Sequence, residues 1–144
     1  MKKKIIALKG APRVGKSETV KKAYALLKAK YPNAKIEFEK ILTTDITVIL
    51  KIKNVKIGIE SQGDPNGHLV TGSLTRFVKE SCQVIICATR TRGQTVEAVE
   101  EVQQKHQYDV VWLKQVRLEE SARAANNREI ANRIIKETEE IINA

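Results

Sequence analysis

A glycine-rich segment near the start of the chain has residue types and spacing suited to binding phosphate. The segment reads "GAPRVGKS" and runs from Gly10 to Ser17. Its two glycines let the backbone bend so that N–H groups point inward at an anion. Lys16 adds a mobile positive charge, and the hydroxyl of Ser17 can ligate a divalent cation. The pattern therefore predicts a site for a phosphate-bearing ligand.

The elements on either side of this segment are those that such a site requires. An apolar strand, "KKIIALKG", leads into it, and apolar residues then recur every three or four positions from Lys16 to Lys30. That spacing predicts an amphipathic helix. The amino end of the helix would present its positive dipole end to the same anion. Strand, loop and helix together place the pattern G-x-x-x-x-G-K-S/T in its expected context.

In this arrangement the chain resembles the P-loop NTPases, whose Walker A motif has the same pattern. The resemblance covers the N-terminal half, and beyond it only the alternation of strands and helices. It implies binding of a nucleoside triphosphate with Mg²⁺, in which Lys16 and Ser17 are the most critical residues and Ser17 ligates the metal. The residues that it implies at the nucleotide are Gly10, Ala11, Pro12, Arg13, Val14, Gly15, Lys16, Ser17 and Glu18.

P-loop proteins place a second acid at the end of an apolar strand, and Glu60, which follows "VKIGI", is the main candidate here. The family more often has Asp at this place. By the resemblance, Glu60 would hold the metal through water or act as a base toward a water molecule. Two other acids stay open as alternatives, Asp64 in the following loop and Asp45 before the preceding strand. Gln62 is a further candidate for orienting the attacking water.

The run "ESQG" at 60–63 is also similar to the "DxxG" of Ras-like GTPases. Thr43 or Thr44 would then take the place of the threonine that these proteins use. Nothing similar to their guanine-reading "NKxD" follows a later strand, because "WLKQVR" lacks both the Asn and the Asp. Adenine is therefore the predicted base.

Two arginines follow a later apolar run. "QVIICAT" at 83–89 predicts a strand covered on both faces, and Arg90 and Arg92 come just beyond it. Ligands in open α/β sheets bind along the carboxyl edge of the strands. We therefore predict that Arg90 and Arg92 act in catalysis, by stabilising charge on a transferring phosphoryl group. Their spacing of two predicts that only one of them points inward.

The rest of the pattern predicts one α/β domain over residues 1–144. Strands are predicted at the first apolar run and at 35–41, 46–52, 55–60, 83–89 and 108–113. Helices are predicted at 16–30, 73–80, 94–106 and 118–142, with a loop at 62–72. The expected fold is a three-layer sandwich similar to that of P-loop NTPases. Its mixed, mostly parallel sheet would have about five or six strands and one antiparallel hairpin strand.

The net charge of +9 lies in the first thirty residues, which carry ten lysines and arginines and one acid. Such a segment attracts polyanions. A bound nucleotide explains part of the excess, and a nucleic-acid or protein partner stays open, although aromatic residues for base stacking make up only 4%. No run reaches the roughly 18 apolar residues of a membrane span, and the first apolar stretch is too short for a signal peptide. We therefore expect a cytoplasmic protein without a membrane partner.

Three functions fit these predictions. The first is hydrolysis of ATP bound with Mg²⁺. The second is a small-molecule kinase, in which "ATRTRGQT" would form a short lid and Asp45 or Asp64 would act as the base. The third is a nucleotide-dependent binding module for nucleic acid or protein, with little turnover. Cys82 and Cys87 are predicted to be buried thiols, and the oligomeric state is left open.

Overall fold

A computed structural model describes residues 2–65 and 67–144, without the side chain of Thr71. The strands are β1 (Lys4–Lys9), β2 (Lys35–Ile41), β3 (Ile46–Ile52), β4 (Val55–Glu60), β5 (Val84–Thr89) and β6 (Asp109–Lys114). The helices are α1 (Lys16–Lys30), α2 (Leu74–Lys79), α3 (Gln94–His106) and α4 (Glu120–Ile142), and a π-helical segment, Leu69–Ser73, leads into α2. Asn66, within the predicted loop 62–72, lies outside the described residues.

The predicted elements agree with the structure, with one notable difference. The chain becomes helical at Leu69, inside the predicted loop 62–72. Leu69 is fully buried in the same core as Phe77 of α2. Because burying Leu69 stabilises a helical course, tertiary packing overrides the turn preference of the neighbouring glycines. The predicted turn near Asn54 is present, and positive φ angles at Lys53 (48°) and Asn54 (69°) fit a tight hairpin.

The six strands form one mixed sheet in the order β2-β3-β4-β5-β1-β6. Neighbours from β4 to β6 are parallel, whereas β3 runs antiparallel to both β2 and β4. The prediction of a mostly parallel sheet with one antiparallel strand is thus confirmed. The ends of β4, β5, β1 and β6 and the beginning of β3 consequently meet at one edge. This edge is where ligands bind in open α/β sheets.

Helices cover both faces of the sheet, so the fold has three layers. α1 and α4 pack on one face, in a core that includes Leu27 and Ile6. α2 and α3 pack on the other face, in a core that includes Phe77 and Ile5. Neighbouring residues of β1 face different layers because side chains alternate along a strand. This explains why β1 and β5 are consecutive apolar runs.

Ion pairs fasten α4 to the elements beneath it. Lys4 of β1 lies 2.8 Å from both Glu137 and Glu140, and Lys30 of α1 lies 2.7 Å from Glu139. Two lysines of the basic N-terminal segment are therefore paired within the fold. None of the described helices combines the length and the apolar character needed to cross a bilayer.

Candidate functional site

The glycine-rich segment forms a loop between β1 and α1 at the carboxyl edge of the sheet. Arg13 and Gly15 both have positive φ angles, 63° and 99°, so the backbone reverses sharply before the helix. At Gly15 glycine adopts this conformation without the strain that a side chain would add. Among the side chains that the structure describes, none caps the amino end of α1. The first N–H groups of the helix are thus available to an anion, as the sequence predicts.

A cavity of about 630 Å³ opens beside this loop. We call it the glycine-loop cavity. Its walls come from the loop and α1, the segment before β3, residues 61–64, the residue after β5, and α4. The cations that line it are Arg13, Lys16, Lys21, Arg90 and Arg123. The acids that line it are Glu18, Asp45 and Asp64. The described lining is therefore richer in positive than in negative side chains.

The Lys16 side chain is buried beneath the loop. Its ammonium group donates hydrogen bonds to the carbonyl oxygens of Gly10 and Thr89, the latter at 2.6 Å. Burial, and to a lesser extent the positive charge of Arg90, lower the pKa of Lys16 to about 8 against the opposing effect of Asp64. Both carbonyls are neutral, so the hydrogen bonds of this buried cation go to dipoles and not to an anion.

The structure places Glu60, predicted to bind metal and to act in catalysis, on the opposite side of the sheet. Its carboxylate is fully buried. Oε1 accepts hydrogen bonds from Thr47 (2.7 Å) and Ser73 (2.6 Å), and Oε2 accepts one from the N–H of Gln62 (3.1 Å). Glu60 is not among the described residues that line the glycine-loop cavity. Because side chains alternate between faces, Ser61, one residue further, faces the loop instead.

Asp45 lies where Glu60 was predicted to lie. Its Oδ1 is 3.0 Å from the hydroxyls of both Ser17 and Ser61. The Ser17 hydroxyl is also 2.7 Å from the carbonyl oxygen of Thr44. β3 runs antiparallel to its neighbours, so the residue before it comes to the edge where the other strands end. The carboxylate beside Ser17 is therefore Asp45, one of the two alternatives considered from the sequence.

Of the two predicted arginines, the structure brings Arg90 but not Arg92 to the cavity. Arg90 is the first residue after β5, and its Nη2 lies 2.7 Å from Oδ1 of Asp64. Arg92 is exposed, and the described cavity lining does not include it. Residues 61–64 pass close to the end of β5, which explains Gly63, because a Cβ there would lie 2.9 Å from the carbonyl of Ala88. The sequence-based expectation that only one arginine points inward matches this geometry.

A buried amide pair supports the glycine loop from behind. Nε2 of Gln115, directly after β6, donates to the carbonyl of Val14 (3.0 Å) and to Oδ1 of Asn127 in α4 (2.9 Å). A Cβ on Gly10 would lie 2.5 Å from the Gln115 carbonyl, so glycine is required for this contact. Sequence reasoning missed Gln115. Its only signal was a polar residue following an apolar strand.

The remaining residues considered from the sequence are Thr44 and the two cysteines. Thr44 lines the cavity, and its hydroxyl lies 3.2 Å from Asp45. Cys82 and Cys87 are buried, as predicted, and burial raises the pKa of both thiols to about 12. Both are therefore protonated and unreactive at neutral pH.

No family model, curated protein or solved structure matches this chain. A functional proposal therefore depends on the fold and on the geometry of the glycine-loop cavity.

Proposed function

We propose that this chain is a P-loop ATPase that binds ATP with Mg²⁺ in the glycine-loop cavity and hydrolyses the terminal phosphate. The observation that carries the proposal is the position of the Lys16 ammonium group. It is buried beneath the loop, donates to two neutral carbonyls, and adjoins the uncapped amino end of α1. A buried cation beside free helix N–H groups favours a multiply charged anion.

The charge of Lys16 gives a thermodynamic reason for such a ligand. Burial and the charge of Arg90 lower the pKa of Lys16 to about 8, because the charged form has lost water and gains only the opposing charge of Asp64, with no hydrogen bond to an anion. A triphosphate supplies that partner and raises the pKa again. ATP binding above about pH 8 should therefore be accompanied by proton uptake at Lys16.

The residues present fit a Mg²⁺ ion that is bound together with the triphosphate. The hydroxyl of Ser17 and the carboxylate of Asp45 are 3.0 Å apart and would hold it. Among the described residues there is no cluster of three or more His, Cys, Asp or Glu side chains that could hold a metal. Mg²⁺ at phosphate sites commonly needs only one or two carboxylates, with water and phosphate oxygens as its other ligands. When bound, it neutralises charge on the phosphates.

For hydrolysis, we propose that Arg90 contacts the terminal phosphate and that Asp64 accepts a proton from the attacking water. The two side chains form an ion pair at 2.7 Å on the wall of the cavity. If the guanidinium turns from Asp64 to the phosphate, it stabilises the charge that develops there. The same movement frees the carboxylate to act as a base. Gln62, the other candidate, is held through its Oε1 by the N–H of His68 at 2.8 Å.

Phosphate release from ATP, measured with and without Mg²⁺, tests the proposal. Lys16→Ala should lower the rate by about a hundredfold or more, because it removes a preorganised charge at the phosphates. Lys22→Ala, at an exposed position of the same helix, is the matched control and should keep the rate. Parallel assays with GTP test the predicted preference for adenine.

The same assay separates the alternatives. Absence of Mg²⁺-dependent phosphate release by the unaltered chain would contradict hydrolysis. If ATP still binds and phosphate passes to an added small-molecule acceptor without net hydrolysis, the chain is a kinase. If ATP binds and no phosphate leaves it under either condition, the binding-module alternative holds.

A further inference from the structure

We propose a second anion site, on the opposite face of the sheet, which takes the phosphate group of a small molecule. The site is a cavity of about 270 Å³ between β2, β3 and the start of α2. We call it the Lys40 cavity. The residues that carry the argument are Lys40, Thr47, His68, Gly72, Ser73 and Arg76.

Three basic side chains surround this cavity. Among the described residues, the side chains of Lys40 and His68 have no hydrogen-bond or ion-pair partner. Arg76 stacks on Phe38, 3.8 Å from the ring centroid, and pairs with Glu80 through Nε at 2.8 Å. That pairing leaves the two terminal amino groups of the guanidinium for a ligand. None of the described lining residues is acidic.

The same face of the sheet carries a row of lysines further along the strands. Lys35, Lys51 and Lys56 lie side by side in register across β2, β3 and β4. Lys56 contacts the carbonyl of Glu80 at the end of α2 and pairs with Glu37, which places this row on the α2 side of the sheet. This row lies four strand residues or roughly 13 Å from Thr47, so the charge at the Lys40 cavity itself comes from its lining side chains Lys40, His68 and Arg76.

The polar floor of the cavity distinguishes between kinds of anion. Thr47 and Ser73 each use their one hydroxyl proton in a bond to the buried Glu60 carboxylate, at 2.7 and 2.6 Å. Toward a ligand these hydroxyl oxygens can therefore only accept a hydrogen bond. A group that fits must offer anionic oxygens to the basic side chains and one O–H to the floor. A singly protonated phosphate or phosphate monoester has both, whereas sulfate lacks the proton.

Glu60 separates this site from the glycine-loop cavity. Its Oε1 accepts from the two floor hydroxyls, and its Oε2 accepts from the N–H of Gln62, which lines the other cavity. The competing explanation is that Lys40 and Arg76 only balance the buried charge of Glu60. In that case the cavity binds no phosphate, and removing these charges affects stability alone.

Amide NMR spectra of the intact chain, titrated at constant ionic strength and at about pH 5.5, where a phosphate monoester keeps one proton, report the two cavities separately. The probes are inorganic phosphate, glycerol 1-phosphate and sulfate. With both phosphates, saturable shifts are expected at Lys40, His68 and Ser73. Sulfate lacks the proton, so its affinity should be lower by about tenfold or more. Signals of 10–18 report binding at the glycine loop independently.

Two variants test the site without relying on one substitution. Gly72→Glu places an acid in the cavity where a Cβ meets no atom within 4 Å, so the fold should tolerate it. Lys40→Gln combined with Arg76→Gln removes two of the charges. Each should weaken phosphate binding by about tenfold or more. The control, Lys22→Gln with Arg133→Gln, makes the same charge change at exposed positions outside both cavities.

The outcomes are distinct. Phosphate shifts confined to 10–18, equal affinity for phosphate and sulfate, or variants that lower stability without affecting binding would each overturn the second site. None of these results bears on ATP hydrolysis. Conversely, absence of any response of 10–18 to ATP with Mg²⁺ would contradict the proposed ATPase and leave the Lys40 cavity unaffected.

Discussion

At the scale of single residues, the buried charge of Lys16 costs stability unless it meets an anion. Without a ligand, burial and the nearby Arg90 disfavour the charged form and lower its pKa to about 8. Residues that serve a binding site commonly reduce the stability of the ligand-free chain. This cost should be visible in how stability depends on pH.

Lys16→Met should change that pH dependence. Between about pH 8 and 10.5 the unfolded chain keeps a proton on Lys16 that the folded chain has released. Since the unfolded state then binds more protons, Lys16 makes the unaltered chain more stable as pH rises, by at most about 1.4 kcal/mol per pH unit. Urea unfolding of both chains from pH 7 to 10.5 measures the difference. A difference that stays constant across this range would show that the lysine is not perturbed.

Asp45 and Glu60 should respond differently to the loss of their charge. Asp45→Asn should weaken the Mg²⁺ dependence of ATP affinity by about tenfold or more, because it alters the carboxylate beside Ser17. Glu60→Gln should keep that dependence but destabilise the fold, because an amide donor replaces an acceptor among three donors. Calorimetric titration at several Mg²⁺ concentrations and urea unfolding measure the two effects. Loss of Mg²⁺ dependence in Glu60→Gln alone would restore Glu60 as the metal-binding acid.

At the scale of elements, the π-helical segment connects the sheet to α2. It places the hydroxyl of Ser73 on the Glu60 carboxylate and buries Leu69 in the core. Single π-helical turns within helices often accompany functional sites. β4 also packs closely against α2. This contact is possible because Gly58 of β4 has no side chain to collide with Phe77 of α2.

Substituting two glycines should separate packing from backbone effects. A Cβ at Gly58 would lie 2.5 Å from Cγ of Phe77, so Gly58→Ala must displace α2 or β4. We expect a loss of about 1–3 kcal/mol in the free energy of unfolding, as for other overpacked cores. Gly72→Ala meets no atom within 4 Å and should change stability by no more than about 0.5 kcal/mol. Urea unfolding measures both, and equal effects would contradict the packing argument.

At the scale of the whole molecule, the positive charge is less concentrated than the sequence suggests. Acids of α4, some 110 to 140 residues further along the chain, lie against Lys4 and Lys30. The charges that line the glycine-loop cavity come from both halves of the chain. Two of the ten basic residues of the N-terminal segment are thus paired within the fold, and these ion pairs tie α4 to β1 and α1.

Low pH should weaken these ion pairs. Hydrogen bonds from Lys30 and from Lys4 lower the pKa values of Glu139 and Glu140 below the usual 4.5. Their contribution to stability is present above that value and is lost as pH falls through the lowered pKa values. Glu139→Gln with Glu140→Gln should therefore lose less stability between pH 7 and 3 than the unaltered chain. Glu100→Gln with Glu129→Gln is the exposed control, and urea unfolding at each pH is the measurement. An identical loss in all three proteins would contradict this role of the pairs.

Much of the fold follows from local pattern. The glycine loop, α1, the β3–β4 hairpin and α3 depend on residues that are neighbours in sequence, so periodicity and turn chemistry are sufficient to place them. The same reasoning identifies Lys16 and Ser17, because the backbone from Gly10 onward carries the whole pattern. Local pattern fails at Leu69, because burial in the same core as Phe77 favours a helix there although the neighbouring glycines favour a turn.

The choice of the acid beside Ser17 required the tertiary structure. Glu60 and Ser61 differ by one position, and which of them faces the loop depends on the register of β4. The β3–β4 hairpin, which local pattern predicts, returns Asp45 to the edge where β4 ends, but its contact with Ser17 depends on how the hairpin packs against α1. Gln115 contacts Val14 from 101 residues away. Contacts of this kind arise from strand order and helix packing, so they are fixed only when the whole chain is folded.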